Sequence, residues 1–507
     1  MVRMVAKQVN KSAGTDSIDG GKGNMVFCQL EKVMDKTMKL FEIFKPERLV
    51  HIRRYTGIRQ GVQCRTLTYP VPGKTPKYVS ADEAVSIVKS NDNIYIHSAP
   101  ATPTDLVNAL CRHTESKDLK GIKTSHIILC GDIPWTDPKY SSRIRSNCLF
   151  ISGNMRKAVN AGYADYTPVF LQDTIKLYDE KIIPVDVALM TVSPPDEHGY
   201  CSLGTNVDCS SAAVRNAKKI IAAVNPTQPK TFGDSLIHIS QFEALCKSDI
   251  PIPELPKSVP TLEEEAISKH IAENLVDDYA TLQMGIGSVP DTVLSLLKNH
   301  KELGIHSEMI SSGIVDLIER NVITNSRKSI DQGKIVTSFA FGTREFYELC
   351  DNNPLFVFAS SAYTNNYNII VAQSRMTAIN AAIEVDITGQ VVSDTIGKSF
   401  YSGFGGQVDF INAAAQSADG KGKAILALTS RTNKGETKIV PYIKEGAGVV
   451  ATRAHVRYVV TEFGIADLFG KPLRSRAYEL IKIAHPEDRE KLEKGAFERL
   501  RAMPSKD

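Results

Sequence analysis

A chain of 507 residues exceeds what one simple hydrophobic core organises, so two or three domains are expected. Hydrophobic residues at 42% and charged residues at 23% are ordinary globular values, which excludes a disordered, collagen-like or coiled-coil bulk. Sixty-one Lys plus Arg against 57 Asp plus Glu leave +4 spread along the whole length, so no nucleic-acid partner is expected.

In chain order, the first segment carries Arg3, Lys7 and Lys11 with no acid before Asp16 and no secretory apolar stretch. Such a leader fits a mitochondrial presequence imperfectly, having one Arg and no Leu; a cytoplasmic location is the alternative. Residues 1–75 read as an extension, because Gly20, Gly21 and Gly23 interrupt any periodicity and Pro70, Pro72 and Pro76 punctuate its end. Regular structure is expected from Ser80, whose side chain, followed by Asp82 and Glu83, offers helix-capping chemistry. Short apolar runs at 93–96, 126–129, 185–190 and 219–224 then alternate with helical stretches, the habit of strands buried on both faces in parallel sheets.

Pro251, Pro253, Pro256 and Pro260 mark a boundary, after which Thr261 with Glu264 three positions on signals a capping box. Further apolar runs at 280–284, 334–339, 355–358, 424–428 and 456–461 predict a second α/β domain. The expected organisation is therefore an extension, 1–75, a first α/β domain, 76–255, and a second, 256–507. Nine scattered cysteines without a CxxC pair fit a reducing compartment and give no zinc knuckle or disulfide framework. No apolar run approaches the roughly 18–20 residues that span a bilayer, so no membrane partner is expected.

Two glycine loops are the first candidates for chemistry. Gly285, Ile286, Gly287, Ser288 and Val289 follow an apolar run and precede a helical pattern, an arrangement that offers bare N–H groups at a positive helix end. A tight strand-to-helix turn needs the same glycines. Pro290 stands where the dinucleotide fingerprint requires its third glycine, which disfavours NAD. Gly403, Gly405 and Gly406 form the second loop, again before a helix start; a bulge or hairpin corner is the plainer reading.

Glu308 lies among apolar residues, where a carboxylate is exposed, paired or functional because burying it alone is costly. Surface exposure is the ordinary outcome, and the residue alone leaves this open. Glu384 and Asp386 alternate like one face of a strand, and a solvated or salt-bridged face accounts for them. His198 beside Asp196 and Glu197 sits in a turn whose consecutive side chains diverge, which makes a poor metal site. Neither a Gly-x-Ser-x-Gly elbow nor a nucleotide phosphate loop is present.

Five segments together carry a resemblance: Leu282-Gln-Met-Gly-Ile-Gly-Ser-Val-Pro290, His306-Ser-Glu-Met-Ile-Ser311, the run 379–390, Gly403-Phe-Gly-Gly-Gln-Val-Asp-Phe410 and the run 460–468. Joined by 153–160, 164–170 and 196–204 in the first half, they resemble the acetyl-CoA hydrolase/transferase family in order, over about residues 80 to 500. The resemblance implies two similar open α/β CoA-transferase domains with the active site at their junction, and Glu308 as the nucleophile. It also implies that Asn365 orients Glu308, that Gly285 to Val289, Ile383 and Gly406 contact CoA near the thioester, and that Lys434 lies near the CoA phosphates. Ser374 and Arg375 stand where relatives often carry Asp-Asn; Arg375 either alters acyl preference or sits outside the site.

The implied activity moves CoA between short-chain acids, acetyl-CoA with succinate or a similar acid, by ping-pong chemistry through a glutamyl-CoA thioester. A carboxylate needs no helper base, since its ordinary pKa of about 4.3 leaves it ionised at neutral pH. Neither a metal nor a tightly bound cofactor is required; coenzyme A and acyl-CoA are substrates, and family analogy implies a homodimer. An acetyl-CoA hydrolase using the same nucleophile and a non-catalytic CoA-binding protein are the alternatives.

Overall fold

The structure, a computed structural model, describes residues 65–256 and 259–506. The basic leader and most of the expected extension, with Cys28 and Cys64, lie outside the described residues. The described residues form one compact unit built on two large sheets.

The first sheet has eight strands, all parallel, in the order Lys77–Tyr78, Ala244–Lys247, Lys219–Val224, Val187–Val192, Asn93–Ile96, Ile122–His126, Ile144–Cys148 and Asp165–Tyr166. Asn93–Ile96 and Lys219–Val224 coincide with predicted strands because three or more consecutive residues of each are buried on both sheet faces. The run 126–129 does not: the strand there is Ile122–His126, whose polar Lys123, Thr124 and Ser125 hid it. Its buried polar side chains are satisfied laterally, as where Thr124 meets Ser146 at 2.9 Å on the next strand.

The second sheet has nine strands in the order Gly464–Asp467, Tyr458–Thr461, Lys423–Ala427, Met376–Ala381, Thr281–Met284, Gly304–Ile310, Ile335–Ala340, Phe356–Phe358 and Phe232–Gly233. Only the Tyr458–Thr461/Gly464–Asp467 hairpin is antiparallel. Phe232–Gly233 comes from the first half of the chain and closes the edge beside Phe356–Phe358. Gly233 is required there, since its φ is +108° and a Cβ would lie 2.3 Å from the Phe358 carbonyl oxygen.

Helix starts follow the capping chemistry. Ser80 accepts the Glu83 N–H ahead of Ala81–Val85, and both halves of the Thr261/Glu264 box form ahead of Leu262–Asn274. One apolar cluster joins Tyr95 and Met190 of the first sheet to Leu282 and Ile305 of the second, so the two sheets share a core.

The second sheet winds in two directions. From Thr281–Met284 the chain proceeds to Gly304–Ile310 and onward to one side, then returns to Met376–Ala381 on the other. The crevice beyond the carboxyl ends of these strands is a topological switch point, where open α/β sheets bind ligands. Gly285 to Val289 leave one of these strand ends, and Ile383 follows the other.

Candidate active site

Glu308 is the fifth residue of Gly304–Ile310, partly buried near the strand's carboxyl end. The strand is irregular at this point. Leu282 pairs with Ile305 but Met284 pairs with Met309, so residues 306–308 face a single residue of the neighbouring strand. Ser307 fills the gap: its hydroxyl accepts the Met284 N–H and donates to the Met284 carbonyl, both at 3.2 Å. On the other side the Glu308 carbonyl accepts from Thr337 Oγ1 at 3.2 Å and Ser338 Oγ at 3.0 Å. With its carbonyl held by two side chains and the neighbouring strand tied by Ser307, Glu308 is placed by the bulge.

The carboxylate meets one side-chain donor and one close main-chain neighbour. Asn365 Nδ2 donates to Glu308 Oε2 at 3.0 Å, and the Gly406 main chain comes near enough to lower the Glu308 pKa. Gly406 caps the helix Gln407–Ala415, and a Cβ on it would stand 1.9 Å from Glu308 Oε2 and 2.2 Å from Asn365 Nδ2. Only glycine lets the helix terminus come this close. The loop is seated by the first half of the chain. Phe150 lies under Gly403 and Gly405, Leu171 N–H donates to the Gly405 carbonyl at 3.0 Å, and Arg156 stacks on Tyr401 with its guanidinium 3.6 Å from the ring centre. Arg156 of the stretch 153–160, and Phe170 of 164–170 with its ring 5.7 Å from that of Phe404, thus brace the glycine loop.

Asn365 is fully buried at the end of the short helix Ser361–Thr364. Its Oδ1 accepts from Thr364 Oγ1 at 2.9 Å, and its Nδ2 also reaches Asp409 Oδ2 at 3.1 Å. His306, two residues before Glu308, lies within hydrogen-bonding distance of the Thr364 carbonyl through Nε2, at 2.8 Å. Burial, with Lys328 nearby, holds His306 down to about 3, so the ring is neutral and donates that bond.

Burial raises Glu308 to about 7, with Asp409 and Asp208 adding repulsion, against the lowering effect of Asn365 and Gly406. The expectation of a carboxylate ionised through its ordinary pKa is therefore corrected: near neutrality both protonation states are populated. Asp409 is likewise raised to about 7 by burial and by Asp173. Asp208, fully buried and held by Asn206 and Ser210, is raised by burial as well.

The remaining sequence candidates are placed as follows. Gly285 to Val289 begin immediately past Met284, the partner of Met309, with Gly287 at a φ of +133° ahead of the helix Ser288–Leu296; Ile286 is exposed. Ile383 is partly buried, its N–H bonded to the Val392 carbonyl. Lys434 is exposed on the turn 432–435. Arg375 precedes Met376, which pairs with Thr281 at the amino end of the sheet, opposite the switch-point crevice; it faces Asp277 at 3.8 Å. Asp386 is fully buried against Thr388, Gln390 and Arg499, a salt-bridged structural group, and Glu384 accepts the Lys444 N–H at 2.8 Å. Asp409, Asp208 and His306 went unassigned in the sequence, although Asp409 stands three residues after Gly406 in a quoted motif.

The structure thus places a carboxylate at a switch-point crevice, beside the Asn365 amide and two glycine loops. Residues 74–268 match the acetyl-CoA hydrolase/transferase N-terminal domain and residues 342–496 the C-terminal domain. The chain belongs to the acetyl-CoA hydrolase/transferase family. It is 50% identical over 437 residues to the succinyl-CoA:acetate/propanoyl-CoA:succinate CoA transferase of Fasciola hepatica, covering 86% of this chain and 91% of that one. Identity to the 4-hydroxybutyrate coenzyme A transferase of Clostridium kluyveri is 44%, covering 82% and 96%. RipA from Yersinia pestis superposes with a TM-score of 0.79 at 33% identity, covering 84% and 98%. A 4-hydroxybutyrate CoA-transferase from Porphyromonas gingivalis gives 0.71 at 34%, covering 83% and 98%. By class the protein is a CoA-transferase.

Proposed function

We propose that this enzyme moves CoA between short-chain carboxylic acids, acetyl-CoA with succinate or a similar acid, through a glutamyl-CoA thioester on Glu308. The observation that carries the reading is the position of the Glu308 carboxylate, held by the Asn365 amide and closely approached by Gly406 beside a switch-point crevice. In the first step a Glu308 oxygen attacks the thioester carbonyl and expels CoA thiolate, leaving an acyl-glutamyl anhydride. The thiolate then attacks the Glu308 carbonyl, forming the thioester and releasing the acyl group as its carboxylate. A second carboxylate reverses both steps. The second attack develops its oxyanion on the Glu308 carboxyl itself, where the Asn365 N–H already points, and a preorganised donor of this kind is worth roughly 2.7–4 kcal/mol. A carboxylate raised by burial is also a stronger nucleophile once ionised than one in water. The main-chain groups of Gly285 to Val289 and Ile383 suit the CoA arm, and the exposed Lys434 suits its phosphates.

Mass spectrometry of the Glu308 peptide after incubation with acetyl-CoA tests the intermediate, with the adduct expected to disappear on addition of succinate. Free thiol and succinyl-CoA are measured in parallel. Thiol release that succinate neither suppresses nor diverts overturns the transferase assignment in favour of hydrolysis, and an unlabelled peptide during turnover overturns the covalent route. The mitochondrial address expected from the basic leader is tested by import of a reporter carrying residues 1–64.

A further inference from the structure

We infer that Asp409 is a positioning residue that fixes the Asn365 amide so that one of its N–H bonds points at Glu308. The inference rests on Glu308 being the nucleophile. Asn365 has no solvent to correct its orientation, and an amide has nearly the same shape with its oxygen and nitrogen exchanged. Turned over, it would present Oδ1 to the Glu308 carboxylate and repel the charge it is placed to stabilise. Thr364 cannot prevent this alone, because its hydroxyl either donates or accepts and has Ser338 Oγ at 2.9 Å as a second partner.

Asp409 removes the ambiguity. Its Oδ2 accepts the Gln172 N–H, which leaves any acid proton to Oδ1, so the group 3.1 Å from Oδ2 is the NH2 end of Asn365. Its first N–H then belongs to Asp409 and its second to Glu308. Asp409 is itself anchored twice, on the first turn of Gln407–Ala415 and by the Gln172 N–H at 3.4 Å from the first half of the chain. The loop that supplies Gly406 and the side chain that orients Asn365 therefore move as one piece. The arrangement has an electrostatic cost. Glu308 faces Asp409 and Asp208, and Asp409 faces Asp173, whose own partner is Lys176.

A double-mutant cycle on the full-length enzyme tests the role, using Asp409→Asn, Asn365→Ala and the pair, with Glu308→Gln as reference. Asp409→Asn is expected to lower kcat at least tenfold with the KM for acetyl-CoA within twofold. Asn365→Ala should lower kcat about 10²-fold or more. The pair should be no worse than Asn365→Ala, since Asp409 acts through that amide. Removing one negative neighbour should also move the acid limb of kcat/KM to lower pH, a change that mere loosening of the fold would not produce. Asp409→Ser enters the same cycle where the Asn variant does not yield folded protein. Losses that multiply in the pair, a kcat unaffected by Asp409→Asn, or an unmoved acid limb overturn the role of Asp409. Turnover retained by Glu308→Gln instead overturns the nucleophile assignment, so the two failures are distinguishable.

Discussion

Replacing Gly406 by alanine probes the site with one methyl group. The backbone there has φ −102° and ψ 10°, which alanine adopts freely, so the main chain gives no reason for the variant to misfold. The methyl carbon, however, would stand 1.9 Å from Glu308 Oε2, inside an ordinary non-bonded separation of about 3.5 Å by roughly 1.6 Å. It would also stand 2.2 Å from Asn365 Nδ2, so both groups must withdraw together. Displacement of about 1 Å at a reacting centre costs on the order of 10²-fold, and loss of one oxyanion donor 10²–10³-fold in kcat. We expect Gly406→Ala to lower kcat by 10²–10³, with the unfolding midpoint little changed and the KM for acetyl-CoA within a few-fold. Initial rates of succinyl-CoA formation, read beside a thermal denaturation curve, decide it. A kcat within threefold of the parent at unchanged stability would refute the proposed geometry.

Since Glu308 attacks as the carboxylate and is raised to about 7, kcat/KM should climb as pH rises through about 7; a flat profile from pH 5 to 8 contradicts this. The same raised group favours the fold in its protonated form, so its stabilising contribution is present below about pH 4.5 and lost as pH rises through about 7. Glu308→Gln should therefore abolish turnover yet make the protein up to about 3 kcal/mol more stable at pH 8, with little change at pH 4, as denaturant titrations would show. Arg499→Ala leaves Asp386 buried without its cation and should cost about 3–5 kcal/mol in stability; kcat per folded enzyme should stay unchanged because the pair lies outside the site.

Much of the scaffold is local information and was legible. Apolar runs such as 219–224 mark strands buried on both faces, and Thr261 with Glu264 marks a helix start, because burial and capping depend on residues a few positions apart. Strands rich in polar residues, such as Ile122–His126, were not legible, since their hydroxyls are satisfied by neighbouring strands that are distant in sequence. The carboxylate at 308 stood out through its motif, but its role there came from resemblance rather than from pattern. What makes it reactive is tertiary. The bulge opposite a single residue, the Asn365 amide 57 positions away, the close approach of Gly406, and the clustering of Asp409 and Asp208 all arise from strand register and sheet winding. A linear sequence specifies which groups can ionise or donate; only the folded chain decides how much water and how many like charges surround them, and that balance sets the protonation state on which the chemistry runs.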